Sequence, residues 1–305
     1  MSKIIVGVDR SDGSRDAIAL ANGLAGLNGS TLMLANVFPY DETPSRALNR
    51  EFEAYLREDA KSVLEQLRGA IDSAVPVETR VIPNPSAPHG LHALAEEESA
   101  GLIVVGSTHT GRKGRVLPGS TAERLLHGSP CPVAVAPKGY ADRAGREPQA
   151  IGCGYDGTQS SRNALTAARR LAEATGVQLR VIRAFKPMGY DISPGSAAMG
   201  GAGSYNLVLE ERAAEELNKA VEELPGDVTS HFEVGDPANV LAGASEDLDM
   251  LFVGSRGYGP LHSVVVGGVA GRIVREAACP VIVFPRGAAH TEVDSVFPDM
   301  ASRHS

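Results

Sequence analysis

The sequence predicts an α/β protein built from two similar doubly wound domains, each a five-stranded parallel sheet flanked by helices. Three observations carry this. The chain repeats itself once, at an offset of 148 residues. Each copy alternates short apolar runs with segments of helical periodicity, the βαβ pattern of a parallel sheet. The third is size: 305 residues make about two domains of ~150 each, and 43% hydrophobic against 22% charged residues supplies a packed core and excludes wholesale disorder.

The repeat is clearest near the ends of the copies. Cys131-Pro132-Val133-Ala134-Val135-Ala136-Pro137 matches Cys279-Pro280-Val281-Ile282-Val283-Phe284-Pro285. At the same offset of 148, Val105-Gly106-Ser107 matches Val253-Gly254-Ser255, and Gly119 matches Gly267. Near the start Val8-Asp9 matches Tyr155-Asp156 at 147, so one indel separates the copies. The period is too long for a solenoid. The expected division is a first domain at 1–138, a polar, breaker-rich linker at 139–148, a second domain at 149–286 and a flexible polar tail at 287–305. Residues 194–204, rich in Gly, Ala and Ser, read as a disordered insert.

The elements follow in order. Ile4-Ile5-Val6-Gly7-Val8 is a continuous apolar run, as expected of a strand buried on both faces. Ala17, Leu20, Ala21 and Leu24 recur at i, i+3, i+4, i+7, the stripe of an amphipathic helix. Residues 31–37 form the second strand, and Phe52, Leu56, Ala60, Val63 and Leu67 mark a long helix. Val77-Glu78-Thr79-Arg80-Val81 alternates, as a less buried strand would. Leu91, Leu94 and Ala95 mark a short helix, 102–105 a central strand, 121–127 a helix and 132–136 the last strand. In the second copy strands are expected at 150–154, 178–182, 231–234, 250–253 and 281–284, with a long helix at 207–224.

Charge narrows the function. Lys and Arg total 29 against 37 Asp and Glu, a net charge of −8. Nucleic-acid binding through a basic face is therefore not expected, while one small nucleotide in a local pocket stays open. The apolar runs are strand-length, far short of the ~20 residues of a membrane helix. Met1-Ser2-Lys3 leads straight into a strand and leaves no room for a signal peptide. Three scattered cysteines, Cys131, Cys153 and Cys279, make neither a disulfide framework nor a zinc site. The expectation is a soluble cytoplasmic protein with neither membrane nor nucleic acid as partner.

In an open parallel sheet, ligands bind at the carboxyl ends of strands where strand order reverses. The first strand of each copy ends there in an acid, Asp9 and Asp156. Two readings stand side by side: a carboxylate that shapes the turn or caps the next helix, or one that hydrogen-bonds a ribose hydroxyl or a base edge. The fourth strand runs into Gly106-Ser107-Thr108-His109-Thr110-Gly111-Arg112-Lys113-Gly114, then Gly119-Ser120-Thr121 at a helix start. The second copy has Gly254-Ser255-Arg256-Gly257-Tyr258-Gly259, then Gly267-Gly268. Glycine lets the backbone approach an anion, and N–H groups at a helix start face it with a favourable dipole. The paired loops therefore read as anion cradles, with plain tight turns in solvated loops as the other reading. The first is not a P-loop: Gly106-x4-Gly111 has the glycine spacing, but Arg112 and Lys113 stand where Lys and Ser/Thr are required.

With these residues in place the chain resembles a tandem universal stress protein: two UspA-like domains of adenine nucleotide alpha-hydrolase-like fold in one polypeptide. The resemblance rests on an Asp after the first strand, on G-x2-G-x9-G-(S/T) after the fourth, and on a final C-P-V strand. It covers about residues 1–138 and 149–286. It implies an adenine nucleotide at the strand carboxyl ends, ATP with Mg2+ as the expected form. Asp9 and Asp156 would contact the nucleoside, and the backbone at Val37 and Ala184 the adenine edge. Gly106, Gly119, Ser120 and Thr121, and in the second copy Gly254, Gly257, Gly267 and Gly268, would hold ribose and phosphates. The last strands would pair across domains, so that the halves pack as a pseudo-dimer; a homodimer of whole chains stays open.

Both copies depart from the motif. His109 replaces the second glycine in the first copy. A left-handed φ is tolerated by His at an energetic cost, and the ring would crowd or bond the ribose. In the second copy Gly268 replaces the hydroxyl but keeps the N–H, a loss on the order of 1 kcal/mol for a neutral hydrogen bond. At least one copy is expected to be competent. His89 and His92, three apart on a helix, are a candidate metal pair without a third ligand, against the plainer reading of surface histidines. Cys131 and Cys279 read as small apolar fillers. No Ser-His-Asp or Cys-His relay is evident. The expected function is an ATP-binding stress-response sensor or regulator with slow or no hydrolysis and no catalytic residues. The alternative is a nucleotide-independent dimeric interaction scaffold of the same fold, favoured by the departures at His109 and Gly268. An alpha-hydrolase or ligase would need a pyrophosphate loop that Asp9-Arg10-Ser11-Asp12-Gly13-Ser14 does not provide.

Overall fold

The structure, a computed structural model, describes residues 2–40, 50–69, 71, 75–107, 116, 118–143, 146, 148–187, 202–255, 268–286 and 297. In the first half β1 (Lys3–Gly7), β2 (Thr31–Phe38), β3 (Val77–Pro83), β4 (Leu102–Gly106) and β5 (Val133–Ala136) alternate with α1 (Asp12–Asn28), α2 (Arg50–Arg68), α3 (Ala87–Glu97) and α4 (Ser120–Leu126). The second half repeats this with β6 (Ala150–Gly154), α5 (Gln159–Thr175), β7 (Gln178–Phe185), α6 (Ala202–Glu222), β8 (Val228–Val234), α7 (Pro237–Ala244), β9 (Met250–Gly254), α8 (Val269–Glu276) and β10 (Val281–Phe284). The equivalent helices α1 and α5 both stop on a left-handed glycine, Gly29 at φ 71° and Gly176 at φ 69°, a conformation that any side chain would strain.

Strand order is β3-β2-β1-β4-β5-β10-β9-β6-β7-β8. Within each half every pairing is parallel, and sequence order reverses beside the first strand, with β1 between β2 and β4 and β6 between β7 and β9. The halves join where β5 runs antiparallel to β10, with Ala134 opposite Ile282. One ten-stranded sheet results. Its central strands β1, β4, β5, β10 and β9 are apolar on both faces because both faces are covered, while the edge strands β3 and β8 carry exposed polar residues. Ile4 and Val6 of β1 pack with Ala17, Leu20 and Leu24 of α1, while Ile5 between them packs with Leu91 and Leu94 of α3 and Leu125 of α4. Both layers run through the two halves without a break.

Polar contacts reinforce the joint. Arg275 donates to Glu123 Oε1 from Nε (3.2 Å) and Nη2 (2.9 Å), and Val116 N donates to the Ala277 carbonyl at 3.0 Å. The linker is no free tether. Tyr140–Arg143 forms a 3-10 turn, and the N–H groups of Gly139 and Ala141 each donate at 2.8 Å to the carboxylate of Asp16, which is 4% exposed. Nor is the tail flexible throughout, as the sequence led us to expect: Phe297 is 4% exposed against Phe252, and its carbonyl accepts from Arg170 Nη1 at 2.7 Å. One aromatic side chain is enough to anchor a polar segment; the rest of the tail lies outside the described residues. Residues 202–204, expected to be disordered, open α6, because the helix propagates past its first apolar residue. No helix among the described residues is long and apolar enough to cross a membrane.

Candidate functional site

The reversal of strand order between β1 and β4 opens a crevice at their carboxyl ends. Its volume is about 330 Å³. Gly7, Val8 and Asp9 follow β1 along one side; Ala35 and Val37 of β2 and Leu91 of α3 make an apolar wall; Gly106 and Ser107 close the end of β4; and Gly119 to Ala122 bring the start of α4. Asp9, Val37, Gly106, Gly119, Ser120 and Thr121, all singled out from the sequence, therefore meet in one cavity. His109, Gly257 and Gly267 lie outside the described residues.

Asp9 performs the turn-shaping role. Its Oδ1 accepts from Ser11 N at 2.8 Å, while the Ser14 hydroxyl accepts from Asp9 N (2.8 Å) and points back at Asp9 O (2.9 Å) and Oδ1 (3.0 Å). Only one carboxylate oxygen is used. Oδ2 has no partner among the described residues, so the ligand-contacting role stays available as well. At the far side Gly119 is the N-cap of α4, extended at φ −76° and ψ 172°, without a side-chain cap. Glu123 N is the first to bond back, to Gly119 O at 3.0 Å. The N–H groups of Ser120, Thr121 and Ala122 are thus the orphan donors of a helix start. The hydroxyls of Ser120 and Thr121 have no partner among the described residues either.

Two features escaped the sequence reading. Asn36 donates from Nδ2 to Val8 O at 2.9 Å, buried in the sheet, and Val8 N donates to Ala35 O at 2.9 Å. Together they fix the chain as it leaves β1. The signal was an amide inside the apolar run Leu32-Met33-Leu34-Ala35-Asn36-Val37. The second is the reason for Gly106. A Cβ there would stand 2.5 Å from the carbonyl carbon of Gly13, so the glycine lets α1 touch the end of β4, whatever the crevice holds.

The second crevice is built from the same parts and is narrower. It encloses about 50 Å³ and brings together Asp156, Ala184 and Gly254. Asp156 Oδ1 accepts from Thr158 N (3.0 Å) and Oγ1 (2.6 Å). A Cβ on Gly254 would meet Ser161 N at 2.6 Å. Gly268 caps α8 but stands outside the described wall, which Val269, Ala270 and Ile273 fill instead. Where the first copy has Thr121, the second thus presents Val269. Its two helices are also tied. Arg272 of α8 donates from Nη1 to Asp236 Oδ2 (3.2 Å), pairs with its Oδ1 at 3.0 Å, and donates from Nη2 to Asn239 Oδ1 (2.9 Å). Lys186 Nζ lies 3.5 Å from the same carboxylate. In the first copy Ser86 occupies the corresponding N-cap of α3, with no side-chain bond.

The tie carries a pH signature. Burial alone would raise the pKa of Asp236, but the hydrogen bond and charge of Arg272, with N–H groups of α7, outweigh it and hold the carboxyl below its usual range. A depressed carboxyl contributes stability that is present above the ordinary aspartate pKa of ~3.9 and is lost as pH falls through the folded value. Asp236→Asn keeps the cap oxygen and removes the charge. Thermal melts should show the variant below wild type near neutral pH, with the gap closing as pH falls through the lowered folded pKa of Asp236 and the wild-type carboxyl becomes neutral.

The remaining candidates are structural. All three cysteines are buried free thiols; Cys153 and Cys279 are pushed up in pKa by burial first, then by Asp156 and Asp249 respectively. They behave as fillers rather than nucleophiles. His92 lies 3.4 Å from Glu96 on its own helix, and no group of three or more His, Cys, Asp or Glu among the described residues could hold a metal.

Comparison with known proteins bears on the whole chain. The sequence profile of the universal stress protein family matches residues 1–137 and again 148–285. A universal stress protein of Mycobacterium tuberculosis is 32% identical over 301 residues, spanning 92% of this chain and 99% of its own length. A second one from the same organism is 29% identical over 292 residues, spanning 92% and 95%. Among solved structures, a universal stress protein from Archaeoglobus fulgidus shares the fold at a TM-score of 0.67 and 21% identity, over 93% of this chain and 98% of that one. Two consecutive profile matches and relatives alike from end to end support a role in stress response, and they establish that the chain belongs to the universal stress protein family as a tandem of two such units.

Proposed function

We propose that the protein binds an adenine nucleotide, ATP as the expected form, in the first crevice, and serves as a sensor or regulator by binding rather than by turnover. The observation that carries this reading is the crevice of about 330 Å³ at the reversal of strand order, within the ~300–1,000 Å³ of ordinary ligand sites. Its two sides suit the two ends of a nucleotide. Ala35, Val37 and Leu91 fit a base, and Asp9 Oδ2 fits a ribose hydroxyl. The unpaired N–H groups of Ser120, Thr121 and Ala122 and two free hydroxyls, with Gly106 and Gly119 leaving room, fit phosphate oxygens. Mg2+ keeps most of its waters and takes few carboxylates, so it would enter with the phosphates. His109 belongs to the same proposal.

The second crevice, with Asp156, Ala184, Gly254, Gly257, Gly267 and Gly268, is proposed as the weaker site, closed until α7 and α8 part. The antiparallel β5–β10 pair supports reading the halves, divided at 1–138 and 149–286, as a pseudo-dimer within one chain. A cytoplasmic location is part of the same reading. Calorimetric titration of nucleotide-stripped protein with Mg-ATP tests it. One saturable site is expected, weakened about tenfold or more by Asp9→Ala, the loss of a charged hydrogen bond, and unchanged by Asp156→Ala. Asp9→Asn keeps the acceptor for Ser11 and should fold normally while still binding more weakly. No saturable heat and no thermal shift at millimolar Mg-ATP would remove the nucleotide and leave the interaction scaffold. Turnover above about 1 s⁻¹, the low end for ordinary enzymes, would overturn binding without catalysis.

A further inference from the structure

A second large cavity, of about 380 Å³, lies between the two halves and shares no residue with either crevice. Leu20, Gly23, Leu24 and Leu27 of α1 form one wall, at helical spacing. The last turn of α5 faces them, and Ile151 and Met250, at the amino ends of β6 and β9, make the floor. The cavity opens to solvent along Leu27, Arg143 and Arg146, which are exposed. Gly23 lies at the exposed edge of this wall, and a Cβ there would meet nothing within 4 Å, so a larger side chain at this position has room to enter the trough.

The rim is charged. Arg143 and Arg146 of the linker line it, and both guanidinium groups lack an ion-pair or hydrogen-bond partner among the described residues. The acid beside them is spoken for: Asp249 accepts from Gln149 N (2.6 Å) and Ala150 N (3.0 Å). An apolar trough ending under two unpaired guanidinium groups is complementary to one chemistry, an apolar tail carrying a carboxylate, which arginine binds in a fork. We infer that this cavity binds an amphipathic carboxylate of medium-chain fatty-acid type, with its tail along the α1 stripe and its head at Arg143 and Arg146. Because both halves supply walls, an occupant would also brace the joint.

The inference is independent of the nucleotide reading and is tested on the full chain with dodecanoate, kept below micelle concentration, and with dodecanol as the uncharged match. Calorimetry should show one saturable dodecanoate site, at least about tenfold tighter than dodecanol, with a rise in Tm on binding. Gly23→Leu places a side chain in the trough and should weaken both ligands at least about tenfold while Tm without ligand holds or rises. Gly23→Ala should fall between, which keeps the test sound should leucine disturb the fold. The double variant Arg143→Ala, Arg146→Ala should bind dodecanoate no better than dodecanol. Mg-ATP titrations should be the same in every variant. Absence of saturable dodecanoate binding, or binding indifferent to Gly23→Leu, overturns the site; equal affinity for alcohol and acid overturns its preference for an anion.

Discussion

Gly106→Ala should destabilise the protein by about 3 kcal/mol or more and abolish ligand capacity in the first crevice. The added methyl group would stand 2.5 Å from the Gly13 carbonyl carbon and 2.7 Å from its Cα. These are backbone atoms at the start of α1, and no rotamer moves them aside. Relief requires α1 to lift from β4. That helix carries Leu20 and Leu24 in the core and, through Asp16, the N–H groups that dock the linker. Overpacking in a well-packed core costs typically 1–3 kcal/mol and more where backbone must shift; for domains of this size that is a fall in Tm of roughly 5–10 °C. Gly254→Ala should behave alike, against Ser161 N at 2.6 Å. Gly26→Ala is the control, since a Cβ there meets nothing within 4 Å, and alanine should be neutral or better in a helix. The melts are run without nucleotide, so a loss cannot be one of ligand. If Gly106→Ala melts with wild type, the close approach of α1 to β4 is wrong.

That result would also mark how far the sequence could be read. The strands were legible because a parallel sheet covered on both faces writes continuous apolar runs, as in Ile4-Ile5-Val6 and Leu102-Ile103-Val104-Val105. Asp9 and Gly106 could be found because the end of a buried strand is where chemistry sits in such folds. Their structural roles could not, since each depends on a partner brought in by packing: Gly13 against Gly106, Ser14 against Asp9. Asn36 acts through the register of β1 on β2, which periodicity does not report. The narrowing of the second crevice was hidden for the same reason. It rests on Asp236 meeting Arg272 across 36 residues, and on Val269 facing inward where a motif comparison sees only the neighbouring Gly268. Phe297 is the one aromatic of the tail, and with Val293, Val296 and Met300 it falls at i, i+3, i+4, i+7, a signal that the polar composition of the tail masked.

Phe252→Ala should be the most damaging truncation on the α1 and α5 side of the sheet, about 3–5 kcal/mol. Phe252 is fully buried on β9, stacked on Phe284 with centroids 6.2 Å apart and met edge-on by Phe297 at 5.6 Å and 71°. Removing its ring leaves a cavity under two others, which the central strands of a sheet cannot collapse to fill. Phe297→Ala should cost less, because a tail can leave its place without moving the sheet. The two rings should nevertheless be coupled by about 0.5–1.5 kcal/mol, the range for aromatic pairs beyond simple burial, and a double-mutant cycle measures that term directly. Coupling near zero, together with an unchanged melt when residues 287–305 are removed, would mean that the tail does not pack on Phe252 in solution. Coupling in the expected range would make the tail part of the second domain's core.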